Sequence, residues 1–213
     1  MSPLLLASVG LTVVTVPLHL LAERRGWAAG CAITKSLASL GFMGTALSAG
    51  AVGSLFGRLI LTGLALSLIG DVLLLGRSRQ VFLAGLVSFL LGHLAYATAF
   101  IIHGIDLLPA AGGLVIVTVV GMRVFRWLKP HISRDLLRPV VAYIIVISAM
   151  VALAVGAWGG GVPVRLLPGA VAFYLSDIAV ARDRFVVKGF ANRLVGLPLY
   201  YAGQLLIASC AGG

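Results

Sequence analysis

Eight long apolar segments constrain the fold of this chain more than any other feature of its sequence. They cover approximately residues 3–22, 28–49, 57–76, 81–102, 107–127, 139–158, 164–181 and 191–211. A helix needs roughly 20 mainly apolar residues to cross the hydrocarbon core of a bilayer. The segments are continuous rather than alternating in units of about ten residues, which argues against a transmembrane barrel. We therefore predict an all-α integral membrane protein with eight transmembrane helices, in a single domain that covers 1–213.

The composition excludes several other classes of protein. Hydrophobic residues make up 61% of the chain and charged residues 10%, whereas about a quarter of the residues of a soluble domain are charged. A cytosolic globular enzyme, a disordered chain and a disulfide-stapled secreted module are all inconsistent with these values. The two cysteines, Cys31 and Cys210, are expected to be small buried residues. The first apolar segment has no cleavage site, and we interpret it as a retained helix.

The basic residues lie mostly in alternate loops. A net charge of +10 would suggest nucleic-acid binding in a soluble protein, but here it is typical of loops that orient membrane helices, so we predict no nucleic-acid partner. Under the positive-inside rule these loops are cytoplasmic and both termini lie outside, in a bacterial inner (cell) membrane. The opposite side has only Arg58 and Arg165. The basic residues assigned to the cytoplasmic side are Arg24, Arg25, Arg77, Arg79, Arg123, Arg126, Lys129, Arg134, Arg138, Arg182, Arg184, Lys188 and Arg193.

Three ionisable residues lie inside the apolar segments. Each such residue costs roughly 2.5–3.5 kcal/mol on insertion scales, so each marks a place where water, a partner or a substrate is expected. From a rise of about 1.5 Å per residue, Asp71 lies roughly 9 Å and Asp177 roughly 7–8 Å inside the cytoplasmic helix ends. Lys35 lies at most roughly 15 Å inside. All three therefore share the cytoplasmic half of the membrane.

Other polar side chains are predicted near this depth. Tyr200, Tyr201 and Asn192 belong to the last segment, and His93 lies nearer the midplane with Tyr96 one turn further on. Other interpretations remain open: the lysine and the aspartates could form an ion network that fixes helix packing, and either aspartate could belong to a solvated helix end. The tyrosines could be interfacial. One histidine and two aspartates make a poor metal site, so no metal is predicted.

An internal similarity relates the two halves of the chain. The segment 69–75 (IGDVLLL) resembles 175–181 (LSDIAVA), and 93–97 (HLAYA) resembles 198–202 (PLYYA). The offsets are 106 and 105 residues, which is half of the chain. Four helices per copy keep both copies in the same orientation. We predict two parallel four-helix repeats, about 1–105 and 106–213, which would bring the two aspartates to a central cavity.

The order of these motifs resembles the YhhN-like family of lysoplasmalogenases. The resemblance covers almost the whole chain, from Lys35 to Gln204, although the family's Lys-Pro is Lys-Ser here. Its motifs are Gly70-Asp71-Val72-Leu73-Leu74, Phe89, His93-Leu94-Ala95-Tyr96, Ser176-Asp177 and Tyr200-Tyr201-Ala202-Gly203-Gln204.

The resemblance implies a membrane hydrolase with a lysophospholipid substrate. Such an enzyme cleaves the vinyl-ether bond of lysoplasmalogens to a fatty aldehyde and a glycerophospho-alcohol. The residue types suit this chemistry, because vinyl-ether hydrolysis passes through an oxocarbenium ion, as in glycosidases with two carboxyl groups. We predict Asp71 and Asp177 as catalytic residues, in either order of roles, and no cofactor. Predicted supporting or substrate-binding residues are Lys35, His93, Tyr96, Ser176, Asn192, Tyr200, Tyr201 and Gln204.

Alternative functions remain open at this point. Intramembrane aspartate and lysine would also suit a proton-coupled transporter, and cleavage of an ester would indicate a lysophospholipase. A lipid-binding or structural membrane protein with an inert ion network is a third class. The sequence leaves open the head group, the chain length of the lipid and the oligomeric state.

Overall fold

The computed structural model describes residues 2–76 and 78–212 and contains eight α-helices within those ranges. The prediction of an all-helical chain is confirmed for these residues. Arg77, one of the basic residues counted above, lies outside them. The helices are α1 (Pro3–Arg24), α2 (Ala28–Ser48), α3 (Leu55–Leu73), α4 (Arg79–His103), α5 (Leu107–Leu128), α6 (Arg134–Gly159), α7 (Leu166–Ala181) and α8 (Phe190–Ser209).

Several of these helices are long and apolar enough to cross a membrane. By length and composition, five candidate spans occur among the described residues, which makes the chain an integral membrane protein. The connections are short: 3₁₀ turns at Ala51–Gly53 and Lys129–His131, and a π-helical turn at Arg182–Val186 after α7. The candidate spans are Pro3–Arg24, Leu55–Leu73, Arg79–His103, Leu107–His131 and Arg134–Gly159.

Polar caps determine where the helices begin, so the boundaries differ slightly from the apolar segments. Ser54 and Ser78 accept hydrogen bonds from the first turns of α3 and α4, as N-cap residues do. Asp106 does the same for α5. The largest difference is in α6, which begins at Arg134 rather than at 139 and so contains Pro139 within the helix as its sixth residue.

Six helices form a closed ring. Along the ring, α2 packs on α3, α3 on α4, α4 on α6, α6 on α7, α7 on α8, and α8 on α2. The two remaining helices lie outside it: α1 packs on α2 and α8, and α5 packs chiefly on α6. Only 17% of the most apolar part of α5 is buried, against 50% of the corresponding part of α6. The outer helices therefore present most of their surface to the surroundings.

Glycines allow the closest helix contacts of the ring. A Cβ atom on Gly63 would lie 2.3 Å from the ring of Tyr96, and one on Gly70 would lie 2.6 Å from the ring of Phe89. Both contacts join α3 to α4. Between α7 and α8, a Cβ atom on Gly203 would lie 2.8 Å from the carbonyl oxygen of Gly169. Close packing at these points brings the polar side chains inside the ring within reach of one another.

Candidate functional site

Asp71 lies at the centre of a buried polar cluster inside the ring. Its Oδ2 atom accepts hydrogen bonds of 2.7 Å from the hydroxyls of Ser39 and Tyr200. The Nζ atom of Lys35 lies 3.4 Å from Oδ1. Tyr201 completes the group, with its hydroxyl 3.3 Å from the backbone oxygen of Lys35. We refer to Lys35, Ser39, Asp71, Tyr200 and Tyr201 as the Asp71 cluster.

All the polar contacts of Asp71 suit an ionised carboxylate. Two hydroxyl donors reach one oxygen and an ammonium group faces the other. Only 3% of the Asp71 side chain is exposed, and a buried charge needs such compensation. The donors come from α2 and α8, the two neighbours that hold this carboxyl in the ring.

Asp177 lies in a second, smaller cluster. The hydroxyl of Tyr143 donates a hydrogen bond of 2.9 Å to its Oδ2 atom, and the Nε2 atom of His93 lies 3.5 Å from the same oxygen. The aspartate side chain is 18% exposed, while His93 is fully buried. We refer to His93, Tyr143 and Asp177 as the Asp177 cluster. It lacks the ammonium group that neutralises Asp71.

The hydrogen bonding of His93 fixes which of its nitrogens carries the ring proton. Its Nδ1 atom lies 2.7 Å from the backbone oxygen of Phe89, and a carbonyl oxygen only accepts hydrogen bonds. Nδ1 is therefore the donor. In the neutral ring Nε2 is then an acceptor, and it faces the carboxyl group of Asp177. Two acceptors repel each other, so this contact is favourable when one of the two groups is protonated.

Aromatic side chains separate the two carboxyl groups. The ring of Phe173 lies 4.4 Å from the ring of His93 and 5.4 Å from the ring of Tyr200, between centroids. Phe89 packs on both Phe173 and Tyr200. The two clusters therefore border one aromatic group, and each has its own polar partners.

A third polar contact joins α4 to α8. The hydroxyl of Tyr96 donates a hydrogen bond of 2.7 Å to Oε1 of Gln204, and both residues are completely buried. Among the described residues, three buried atoms of this region have no hydrogen-bond partner. They are Ser67 Oγ, His93 Nε2 and Gln204 Nε2. A native interior rarely leaves such groups unsatisfied, so these atoms are suited to contact water or a ligand.

Two predicted site residues contact neither carboxyl group. The hydroxyl of Ser176 donates a hydrogen bond of 2.7 Å to the backbone oxygen of Phe173 in its own helix. Asn192 lies at the start of α8, where its amide donates to Asp183 at 3.1 Å and to the backbone of Val187 at 2.6 Å. Its Oδ1 atom accepts from Arg182. Asn192 thus holds the loop between α7 and α8.

Two polar partners of the carboxyl groups were not predicted from the sequence. Ser39 follows Lys35 by four residues and so lies on the same face of α2, a signal that could have identified it. Tyr143 is a lone tyrosine in an apolar segment, and nothing in its sequence context links it to Asp177. His19, near the end of the first apolar segment, is also buried: it is 1% exposed and its Nδ1 atom lies 3.0 Å from Thr34 Oγ1.

The described residues contain no group of three or more histidine, cysteine, aspartate or glutamate side chains placed to hold a metal ion. Both cysteines are free thiols. The polar groups available for chemistry are thus carboxyl, imidazole, phenol, hydroxyl, amide and ammonium groups.

Comparison with known proteins places the chain in a family. The profile of the YhhN family matches residues 31–211, which include every residue of both clusters. The chain belongs to the YhhN family. Of the helices, only α1 lies wholly outside the matched part.

Curated relatives of this YhhN-family chain include enzymes from mammals and bacteria. The lysoplasmalogenase TMEM86A of Bos taurus is 32% identical over 158 residues, which cover 71% of this chain and 64% of the relative. The lysoplasmalogenase of Mycobacterium bovis is 32% identical over 179 residues, covering 78% of this chain and 66% of the relative. The lysoplasmalogenase TMEM86B of Mus musculus is 32% identical, and 59% of its length is covered. The chain thus spans less than two thirds of the mammalian relatives. No solved structure matches it.

Proposed function

We propose that the protein hydrolyses the vinyl-ether bond of lysoplasmalogens by acid catalysis. The relatives named lysoplasmalogenase support the reaction class. The observation that carries the mechanism is the contrast between the two carboxyl groups. Asp71 contacts an ammonium group and two hydroxyl donors, whereas Asp177 faces the acceptor nitrogen of a buried histidine.

The first step requires an acid. The β-carbon of the vinyl ether takes a proton, and the electron pair of the double bond forms the new C–H bond. Positive charge then develops on the α-carbon and the ether oxygen. We assign the proton to the His93–Asp177 pair, because Nδ1 of His93 already donates to a carbonyl oxygen and Nε2 lies 3.5 Å from Oδ2 of Asp177, so that one proton on this pair would serve both groups. Enzymes with two carboxyl groups divide acid and stabilising roles in this way according to environment.

The second step requires a stabilised cation and an activated water molecule. Asp71, held as a carboxylate by Lys35, Ser39 and Tyr200, is suited to this role. Water adds to the α-carbon and transfers one proton to the Asp71 carboxylate, so that the product of this step is a hemiacetal. The hemiacetal then collapses to the fatty aldehyde and the free hydroxyl of the glycerol. The proton balance closes, because one proton enters in the first step and one leaves in the second.

The remaining polar residues fit supporting roles. Gln204 accepts a hydrogen bond from Tyr96, and its Nε2 donor has no partner among the described residues, so this amide is suited to orient water or the ether oxygen. Tyr201 packs on the backbone of Lys35 and positions that residue. Ser176 and Asn192 act through the backbone of α7 and the loop before α8.

The arrangement of the clusters supports the proposal of two parallel repeats. Asp71 on α3 contacts residues of α2, in its own half, and of α8, in the other half. Asp177 on α7 contacts residues of α6, in its own half, and of α4, in the other half. The order of ring contacts and the outer positions of α1 and α5 follow the same relation. We also propose that all eight helices cross the bilayer, with both termini outside and the basic loops in the cytoplasm.

The test is to change each carboxyl group to an amide and measure aldehyde release. We expect Asp71→Asn and Asp177→Asn to lower turnover of a vinyl-ether lysophospholipid by about 10²–10⁴, the usual effect of losing a general acid or base. The matched control is Asp106→Asn, because Asn replaces Asp as an N-cap at almost no cost, and we expect unchanged turnover.

The substrates must include alkyl-ether and ester analogues of the same chain length. Only the vinyl ether gives an oxocarbenium ion on protonation at carbon, so we expect no product from the alkyl ether. Release of a fatty acid from the ester with no aldehyde from the vinyl ether would indicate a lysophospholipase. Wild-type turnover in both aspartate variants would contradict the mechanism.

A further inference from the structure

A cavity of about 600 Å³ lies where α1 ends and α8 begins, at the end of the bundle that carries the basic loops. Glu23 and Arg24 line it from α1, and Lys188, Gly189 and Arg193 from the loop and the start of α8. We refer to it as the α1–α8 cavity. Its volume is within the range of small-molecule sites, roughly 300–1,000 Å³.

The cations of the cavity are not equivalent. Arg193 is shared between two carboxylates, with Nη1 3.4 Å from Glu23 Oε1 and Nη2 3.6 Å from Asp183 Oδ2. Arg24 and Lys188 form no salt bridge with any described residue. The cavity therefore has two exposed cations available to an anionic ligand.

The start of α8 adds a second attraction for an anion. The N-cap residue of this 20-residue helix is Gly189, and no side chain caps the first turn. The backbone N–H group of Gly189 is already bonded to Asp183 at 2.8 Å, but the amides of the first turn of α8 remain. An uncapped helix N-terminus beside cationic side chains is a typical phosphate site.

The cavity also contains a carboxylate, Glu23, which favours a hydrogen-bond donor or a cation rather than an anion. Its Oε1 atom faces Arg193 and lies 3.7 Å from Nε2 of His19. Its Oε2 atom is buried and has no hydrogen-bond partner among the described residues. A buried carboxylate oxygen needs a donor, so a suitable ligand carries a donor as well as an anion.

We propose that the α1–α8 cavity binds the head group of a zwitterionic lysophospholipid. Arg24, Lys188 and the start of α8 bind the phosphate, and Oε2 of Glu23 accepts a hydrogen bond from the ammonium group. The nature of the ligand rests on the proposed function.

A chain of side-chain contacts leads from Glu23 towards the Asp71 cluster. His19 lies beneath Glu23, and its other nitrogen contacts Thr34, the residue before Lys35. Lys35 lies seven residues along α2, which corresponds to about 10 Å of depth. A glycerol unit that extends inward from the phosphate would therefore point towards the Asp71 cluster.

Binding of a lipid that cannot be cleaved tests the proposal independently of catalysis. The probes are 1-alkyl-ether lysophospholipids with an ethanolamine or a glycerol head group, and inorganic phosphate, titrated into the purified full-length chain in nanodiscs. We expect the wild type to prefer the ethanolamine lipid. Arg24→Gln and Lys188→Gln should each raise the Kd of both lipids about three- to tenfold. Arg126→Gln, a charge loss at the same end of the bundle but outside the cavity, should leave both values unchanged.

The role of Glu23 is tested through a ratio of affinities. Glu23→Gln should reduce the preference for ethanolamine over glycerol by about tenfold. Because this ratio compares two ligands on one variant, it does not depend on the fraction of folded protein. An unchanged ratio would overturn the assignment of the ammonium site. Equal effects of Arg126→Gln and Lys188→Gln would overturn the phosphate site. Displacement of both lipids by inorganic phosphate, with no preference between the two lipids, would overturn the ammonium site.

Failure of this inference differs from failure of the proposed function. Selective binding of the ethanolamine lipid by a protein that releases no aldehyde would leave the head-group site intact and overturn the hydrolase. Normal aldehyde release, together with binding that is unchanged by Arg24→Gln and Lys188→Gln, would overturn the head-group site and leave the hydrolase intact.

Discussion

His93 and Asp177 face each other inside the ring, with the Nε2 and Oδ2 atoms 3.5 Å apart and the ring of His93 completely buried. Since Nδ1 of His93 donates to the backbone of Phe89, Nε2 is the nitrogen that faces the carboxyl group of Asp177. Among the described residues, Asp71 has no histidine partner, and its polar contacts are two hydroxyl donors and an ammonium group. The two aspartates therefore differ in their polar surroundings although their sequence motifs are alike.

Replacement of His93 should impair the acid step. We expect His93→Gln to lower the turnover of a vinyl-ether lysophospholipid by about 10²-fold or more, because the proton shared with Asp177 loses its acceptor. Aldehyde release at saturating substrate is the measurement. The control is His103→Gln, at the end of α4, where the imidazole packs on Phe56 with ring centroids 5.0 Å apart; a similar loss in this control would argue against a specific role for His93.

Removal of the Tyr143 hydroxyl tests the hydrogen bond of this residue without changing the packing of its ring. Tyr143→Phe keeps the ring, which lies 5.4 Å from that of His93, and loses the 2.9 Å bond to Asp177. We expect a loss of about 0.5–1.5 kcal/mol of stability together with a fall in turnover. Tyr174→Phe is the matched control, since its hydroxyl contacts only Ser148 at 3.4 Å. Unaltered turnover in Tyr143→Phe would exclude this hydroxyl from the site.

The pair of Lys35 and Asp71 should show strong coupling. Lys35→Met leaves the carboxylate buried without its cation, and we expect it to cost about 3–5 kcal/mol of stability. The double variant Lys35→Met/Asp71→Asn removes both charges and should recover part of that loss. Unfolding in detergent, measured for both single variants and the double variant, gives the coupling energy. Additive effects would show that the two groups do not interact.

The contact between Gly63 and Tyr96 should tolerate no methyl group. Gly63→Ala places a Cβ atom 2.3 Å from the tyrosine ring, and we expect a loss of about 1–3 kcal/mol through overpacking. Displacement of Tyr96 should also break its hydrogen bond to Gln204. Gly10→Ala in α1, where nothing lies within 4 Å, is the control and should keep or raise the melting temperature. Equal melting temperatures for the two variants would contradict the packing described here.

Cysteine labelling tests the proposed orientation. In a background with Cys31 and Cys210 replaced by alanine, we expect an impermeant maleimide to label Val52→Cys in intact cells, because the α2–α3 connection is predicted to lie outside. Ser133→Cys, in the connection before α6, should be labelled only after the membrane is permeabilised. The reverse pattern would invert the topology.

The sequence predicts the helices of this protein well because each is a continuous apolar segment. The errors occur at helix starts, where the caps Ser54 and Ser78 decide the boundary rather than the end of the apolar run, and in α6, which extends from Arg134 through Pro139. Lys35, Asp71, Asp177 and His93 could be selected because ionisable or polar groups within apolar segments are costly and need partners.

The pairing of those residues could not be predicted. Nothing in the sequence connects Tyr143 to Asp177, or Ser39 to Asp71, because these contacts depend on which helices are neighbours in the ring. Asn192 was expected near the carboxyl groups from its position at a helix mouth, and it binds the adjacent loop instead. Side chains at helix ends can turn towards either loop or core, so sequence position alone does not fix their partners.

The position of α1 outside the ring has a consequence for how such proteins can diversify. The helices that carry Asp71, Asp177 and their partners belong to the matched part of the chain, whereas Glu23 and Arg24 lie on a helix that precedes it. Bond cleavage and the recognition of an ammonium group by Glu23 would then depend on separate structural units. Exchanging that single outer helix between two homologues would be expected to change the preference for an ammonium group while leaving the reaction unaltered.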